Sequence, residues 1–187
     1  MLLRPYGSSG EQLSIIGFGG IVVARLSQSE ANTIVREAYD RGVNYFDVAP
    51  TYMDAEDRLG PALEPFRHQV FLACKTEKRD RHAARHALET SLRKLRTDYF
   101  DLYQLHGLQS LEEAQRCFAA GGAMEVLVEA RQAGLVRYLG FSAHSVEAAL
   151  YCLQHFAFDS VLFPLHYPSY YSGFGVQVVE EAQRRNA

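Results

Sequence analysis

Residues 44–56, NYFDVAPTYMDAE, open as an apolar extended run, close on the carboxylate of Asp47, and pass through Pro50 and Tyr52 into what reads as the start of a helix. Residues 43–48 have the β-branched and aromatic content of a strand, and residues 55–65 the character of the helix that follows. An apolar run that ends on a charge and turns at once into a helix is one strand–helix unit. Read outward from it, the chain repeats the unit. Upstream, Ser27 and Glu30 form a capping box that opens a helix carrying Ala31, Ile34, Val35 and Ala38 on one face and stopping before Gly42.

Downstream, strands are expected at residues 70–75, 99–105, 136–141 and 160–165. Helices fall between them. One is capped by Asp80 and carries Ala84, Ala87, Leu88, Ser91, Leu92 and Leu95; another covers residues 122–132 and ends at Gly134. Two more lie at residues 145–155 and 175–185. Ahead of them all, residues 2–6 and 12–18 flank Gly7-Ser8-Ser9-Gly10 as a hairpin leading into the first strand. This makes a single domain over residues 1–187, of the α/β class, with about six strand–helix units of parallel type.

Such alternation suits either a doubly wound open sheet or a (β/α)8 barrel. GFGGIV, residues 17–22, supplies two glycines of a dinucleotide fingerprint but has Val22 at the third position, and it reads as a tight turn. The 187 residues are 48% hydrophobic and 22% charged with a formal net charge of −3, a balance that gives no basic field for nucleic acid or an anionic membrane. No segment approaches the length of a membrane span or of a signal peptide's apolar core. Cys74, Cys117 and Cys152 form neither a disulfide framework nor a CxxC pair, so a reduced, cytoplasmic setting is expected.

The polar residues that close the strands carry the chemistry. All strands of a parallel sheet leave by the same edge, so their last residues share one mouth. Here those residues are Asp47, Lys75, His106, Ser142 and His166, with Tyr52 just beyond the first of them. A lone strand-end Asp or Ser is commonly a helix cap, and a lone Lys is commonly surface. Lys75, however, ends the apolar run VFLAC, where a charge needs a partner.

In order and spacing, Asp47 and Tyr52 in FDVAPTY, Lys75 in LACKT and His106 in LYQLHGL resemble the Asp, Tyr, Lys and His tetrad of the aldo-keto reductases. GVNYFD, LRTDYFDLYQLH and GLVRYLGFS extend the resemblance over most of the chain. It implies a (β/α)8 TIM barrel and reduction of an aldehyde or ketone by a nicotinamide cofactor, NADPH or NADH in its place. In that reading Tyr52 donates the proton, Lys75 moves the phenol toward useful acidity, Asp47 keeps Lys75 charged, and a neutral His106 orients the carbonyl. Ser142 would meet the nicotinamide carboxamide, and His166 stands where the family's cofactor-binding Asn is expected. The chain departs from the family pattern in having Ala143-His144 after Ser142, and Leu162 where a Gln is usual. A complete barrel takes about 250 residues. Strands seven and eight, with the residues that hold the cofactor's phosphates, are therefore expected outside this chain.

Three other readings use the same residues. His106, His144 and His166 with Asp47 could form the metal centre of a barrel hydrolase. Lys75 could act as a Schiff-base nucleophile. The barrel could also bind a cofactor without catalysis, as a regulatory subunit. His82 and His86, four apart on a helix with no Glu partner, read as a solvated face, and Cys74 as core. Tyr167, Tyr170 and Tyr171 form an aromatic patch that fits either a pocket wall or rim packing. The substrate and the oligomeric state are not legible.

Overall fold

The computed structural model describes the whole chain, Met1–Ala187. It opens with an antiparallel hairpin of β1 (Leu3–Pro5) and β2 (Gln12–Ser14), turned through Gly7 and Gly10. Six parallel strands follow: β3 (Phe18–Gly19), β4 (Tyr45–Asp47), β5 (Phe71–Thr76), β6 (Phe100–Leu108), β7 (Val136–Ala143) and β8 (Ser160–Leu162). Each strand pairs with the next in the chain, β3-β4-β5-β6-β7-β8. A doubly wound sheet would reverse that order at a switch point, whereas a barrel adds each strand beside the last. The sheet is a curled half-barrel, an incomplete (β/α)8 fold, with β3 and β8 as its two edges. Ile15, Ile16 and Leu162 stand exposed beside those edges.

The helices α1 (Gln28–Asp40), α2 (Ala55–Leu63), α3 (Arg81–Lys94), α4 (Leu111–Phe118), α5 (Ala123–Gln132), α6 (Val146–His155), α7 (Tyr167–Tyr171) and α8 (Val176–Arg185) complete the chain. Several start where side-chain chemistry demands it. Ser27 and Glu30 make the reciprocal capping box of α1, and Asp80 accepts the Ala83 N–H at the head of α3. The main core lies between sheet and helices, where Phe46, Leu72, Cys74, Tyr103, Leu105 and Phe141 meet Val35, Leu59, Leu88 and Leu127. On the other face of the sheet, Phe71, Ala73 and Leu102 pack with Tyr45, Tyr138 and two hairpin residues, Tyr6 and Leu13. Tyr6 meets Phe71 and Tyr138 edge-on, at ring-centroid distances of 5.2 and 5.4 Å. The hairpin thus plugs one end of the half-barrel and leaves the strand C-termini as the open end.

Several elements differ from the sequence reading. β4 and β8 are shorter than expected; Phe163 and Pro164 follow β8, and a proline has no N–H to extend a ladder. β6 runs on past Leu105 to Leu108, its register shifting between those residues. α7, five residues long, is too short to show helical periodicity, whereas α4 carries Leu111, Ala114, Cys117 and Phe118 at helical spacing behind the Ser110 cap, a signal the sequence reading missed. GFGG does more than turn: a 3-10 helix spans Gly20–Val23. A Cβ on Gly20 would lie 2.9 Å from Val48 Cβ and 3.0 Å from the Asp47 carbonyl oxygen, so only glycine lets this segment lie against the end of β4.

Charges are also buried below the inner cluster. Asp101, 2% exposed, accepts from Arg137 Nη1 at 2.7 Å and from the Leu72 N–H at 2.9 Å, tying β5, β6 and β7 together, and forms an ion pair with Arg67 Nη1 at 3.1 Å.

Candidate active site

Asp47, the last residue of β4, pairs in register with Ala73, which puts Lys75 of β5 one step nearer the open end on the same face. Lys75 is 1% exposed, and its Nζ donates to Asp47 Oδ1 and, at 3.5 Å, reaches the Val48 carbonyl. A buried ammonium is tolerable only with such a partner. Tyr45, two residues before Asp47 and therefore on the same face, donates its hydroxyl to Asp47 Oδ2 at 3.4 Å. Tyr45 is a neighbour that the sequence reading missed, although its spacing carried the signal.

Tyr52 hangs over this pair from the β4–α2 loop. The loop is tight: the Tyr52 N–H donates to Ala49 O and the Ala55 N–H to Tyr52 O, both at 3.0 Å, and Met53 takes φ +54°. The Tyr52 ring is half-buried, with Lys75 Nζ 5.7 Å from its centroid. The His106 imidazole, near the end of β6, meets the Tyr52 ring edge-on at a centroid distance of 6.0 Å and an interplanar angle of 85°. Asp47, Tyr52, Lys75 and His106, distant in sequence, therefore converge on one mouth.

Burial lowers the His106 pKa from its ordinary value, and the Lys75 charge adds to it, against a smaller opposing pull from Asp47. Burial and the Lys75 charge both favour the neutral imidazole. Tyr52 departs from expectation. Burial and then the Asp47 charge raise its pKa above the ordinary phenol value, so the expected acidifying influence of Lys75 does not prevail. The main reason is burial, since taking the ring out of water disfavours the phenolate, and the Asp47 carboxylate adds to that.

Ser142, on β7, is buried at the same mouth, where its Oγ accepts the Gly107 N–H at 2.7 Å. Its own hydroxyl proton stays free to donate. His166 stands outside the cluster: β8 ends at Leu162, and the exposed His166 ring caps α7 by accepting the Ser169 N–H on Nδ1 at 3.3 Å. His144 is exposed on the rim, and His82 and His86 are exposed on α3. No three His, Cys, Asp or Glu side chains converge closely enough to ligate a metal ion. Cys74 is fully buried and its thiol pKa is pushed up, chiefly by burial, as suits a core residue.

A polar cavity of about 390 Å³ adjoins the cluster, bounded by Thr51, Glu77, Arg79, His106, Glu113 and His144. A larger surface cavity, about 810 Å³, lies on the outer helical layer between α1 and α2, away from these groups. Arg79 was not singled out from sequence, since nothing in TEKRD separates it from its charged neighbours.

A parallel half-barrel with these groups at its strand C-termini belongs to the class of (β/α)8 proteins that place their sites at that end. Residues 15–174 match the sequence profile of the aldo/keto reductase family, and the chain belongs to that family. An uncharacterised oxidoreductase of Bacillus subtilis, YqkF, is 31% identical over 157 aligned residues, covering 76% of this chain and 49% of the relative. The aldo-keto reductase YhdN of the same organism is 32% identical over 158, covering 74% and 46%. The chain thus spans about half the length of the curated relatives it matches. The holo form of an aldo-keto reductase from Bacillus halodurans superposes with a TM-score of 0.86 at 26% identity, covering 100% of this chain and 64% of that structure. No helix here is long and apolar enough to cross a membrane.

Proposed function

We infer that this chain carries the proton-transfer half of a carbonyl reductase, which reduces a small aldehyde or ketone to an alcohol with a nicotinamide cofactor, NADPH or NADH in its place. The observation that carries this reading is the buried Lys75–Asp47 ion pair beneath the Tyr52 hydroxyl-bearing ring and the His106 imidazole. A purely structural role would not require a buried ammonium, a phenol and a neutral imidazole to share one rim.

The cofactor supplies hydride when bound; the chain's own groups do the rest. His106, kept neutral, donates a hydrogen bond to the carbonyl oxygen and fixes its approach. Tyr52, with its pKa raised, holds its proton through neutral pH and yields it to the oxygen as negative charge builds there. Lys75 stabilises the phenolate left behind, and Asp47 holds Lys75 in place and charged. Ser142 would receive the carboxamide of the nicotinamide through its unused hydroxyl proton. His166, exposed and engaged in a helix cap, would contribute only through its second ring nitrogen.

The test is titration of the full-length protein with NADPH and NADH by fluorescence, followed by turnover on a panel of aldehydes and ketones. Binding of at least one cofactor with consumption of a carbonyl is expected. Failure to bind either cofactor would overturn the reading in favour of a non-catalytic barrel.

A further inference from the structure

The peptide unit that follows His106 is gripped at both of its polar ends. Its carbonyl oxygen, on His106, accepts a hydrogen bond from Arg79 Nη2 at 2.9 Å. Its N–H, on Gly107, donates to Ser142 Oγ at 2.7 Å. The same Arg79 nitrogen reaches the Gly107 carbonyl at 3.4 Å and Glu113 Oε2 at 3.1 Å.

The sheet explains why a grip is needed here. Leu105 pairs with Phe141 and Leu108 with Ala143, so His106 and Gly107 together oppose Ser142 alone. Gly107 takes φ +61° at this bulge. A bulge leaves its extra residue without ladder partners, and a peptide free to rotate would swing the His106 side chain with it.

Arg79 is itself well anchored. Its carbonyl accepts the Ala123 N–H at 2.9 Å, and its neighbour Asp80 bridges to Gly122. The side chain is 11% exposed, and Nη1 is buried without a partner.

We propose that Arg79 is a positioning residue for His106: with Ser142 it clamps the His106–Gly107 peptide, and Glu113 holds the guanidinium on it. The catalytic consequence rests on the reductase reading; the clamp itself does not. The charges that surround the imidazole are Lys75 of β5, Asp47 of β4, and Glu77 and Arg79 of the loop after β5, with Tyr52 and His144 flanking it. Arg79 adds to Lys75 in disfavouring the imidazolium.

The experiment compares full-length wild type with Arg79→Met, Arg79→Lys and Glu113→Gln. Three readouts are taken: kcat and KM on a carbonyl substrate, the NMR titration of His106, and the nuclear Overhauser effect between the His106 and Tyr52 rings. Loss of the clamp in Arg79→Met should lower kcat by about tenfold to a hundredfold, the scale of a small misplacement, with KM little changed. In that variant the His106 titration should move up and the ring-to-ring effect weaken. Arg79→Lys keeps the charge but cannot span both carbonyls and Glu113, so kcat should fall while the titration stays near wild type. Glu113→Gln should change kcat in the same direction by less. If Arg79→Met does not fold, the other two variants decide. Wild-type kcat in Arg79→Lys and Glu113→Gln, with an unmoved ring-to-ring effect, overturns the proposal. If wild type reduces no carbonyl, the reductase reading fails, while the two NMR readouts still support or overturn the clamp.

Discussion

Lys75→Met removes the ammonium from beneath Tyr52 and keeps the packing of its stem. Asp47, whose side chain is 18% exposed, is left with the Tyr45 hydroxyl at 3.4 Å and no cation. At an effective dielectric near 20, two unit charges about 4 Å apart attract by about 4 kcal/mol. Stripping one partner from a buried pair typically costs about 3 to 5 kcal/mol, because the other charge remains without compensation. Asp47 regains some water, so the lower end, about 3 kcal/mol, is expected. That is a large part of a domain's usual stability of about 5 to 15 kcal/mol. Urea denaturation of the full-length protein reads it as a lower midpoint at unchanged slope. A cycle with Asp47→Asn isolates the pair. The double variant holds neither charge, so it should be more stable than the two single losses sum to, with a coupling of about 2 kcal/mol. A coupling under about 0.5 kcal/mol would mean that the two residues act independently, and the reasoning about the buried pair would fail.

Two more outcomes follow from other parts of the molecule. Asp101→Asn takes the charge from beneath Arg67 and Arg137 at the hairpin end of the barrel, and should cost about 3 kcal/mol in urea denaturation while leaving kcat near wild type; a large loss of kcat at retained stability would mean that the two ends of the barrel are coupled. His106 has a folded-state pKa below its ordinary value of 6.5, so between the two values the unfolded chain binds more protons and stability rises with pH. This contribution is present above the unfolded value and is lost as acid carries the pH down from 6.5 through the folded value. The stability–pH curve of His106→Gln should therefore be flatter than wild type over that window, and parallel curves would refute the shift.

What the sequence made legible is what repeats or what chemistry forces. The parallel units follow from apolar runs alternating with capped helices, and the Ser27–Glu30 box and the Asp80 cap stand where their side chains indicate. Asp47, Tyr52, Lys75 and His106 could be read together because strand ends of a parallel sheet share an edge. The illegible parts depend on single contacts. α7 is too short to show a period, and the bulge at Gly107 is marked only by a lone glycine in a strand; α4, by contrast, carried a readable helical period that was missed. Arg79 acts through backbone carbonyls, which have no signature in sequence. The rise in the Tyr52 pKa also escaped, because it depends first on how far the fold buries the ring and then on how near it brings the Asp47 charge. His166 lies beyond the end of β8, where it caps α7, so counting residues from the strand could not fix where its side chain falls.

The central claim, that Tyr52 gives up the proton that completes the alcohol, is tested most directly by Tyr52→Phe in the full-length protein, with cofactor affinity and turnover measured side by side. Nicotinamide binding should stay close to wild type while turnover drops by about two to four orders of magnitude. Turnover close to wild type at intact cofactor binding would contradict it.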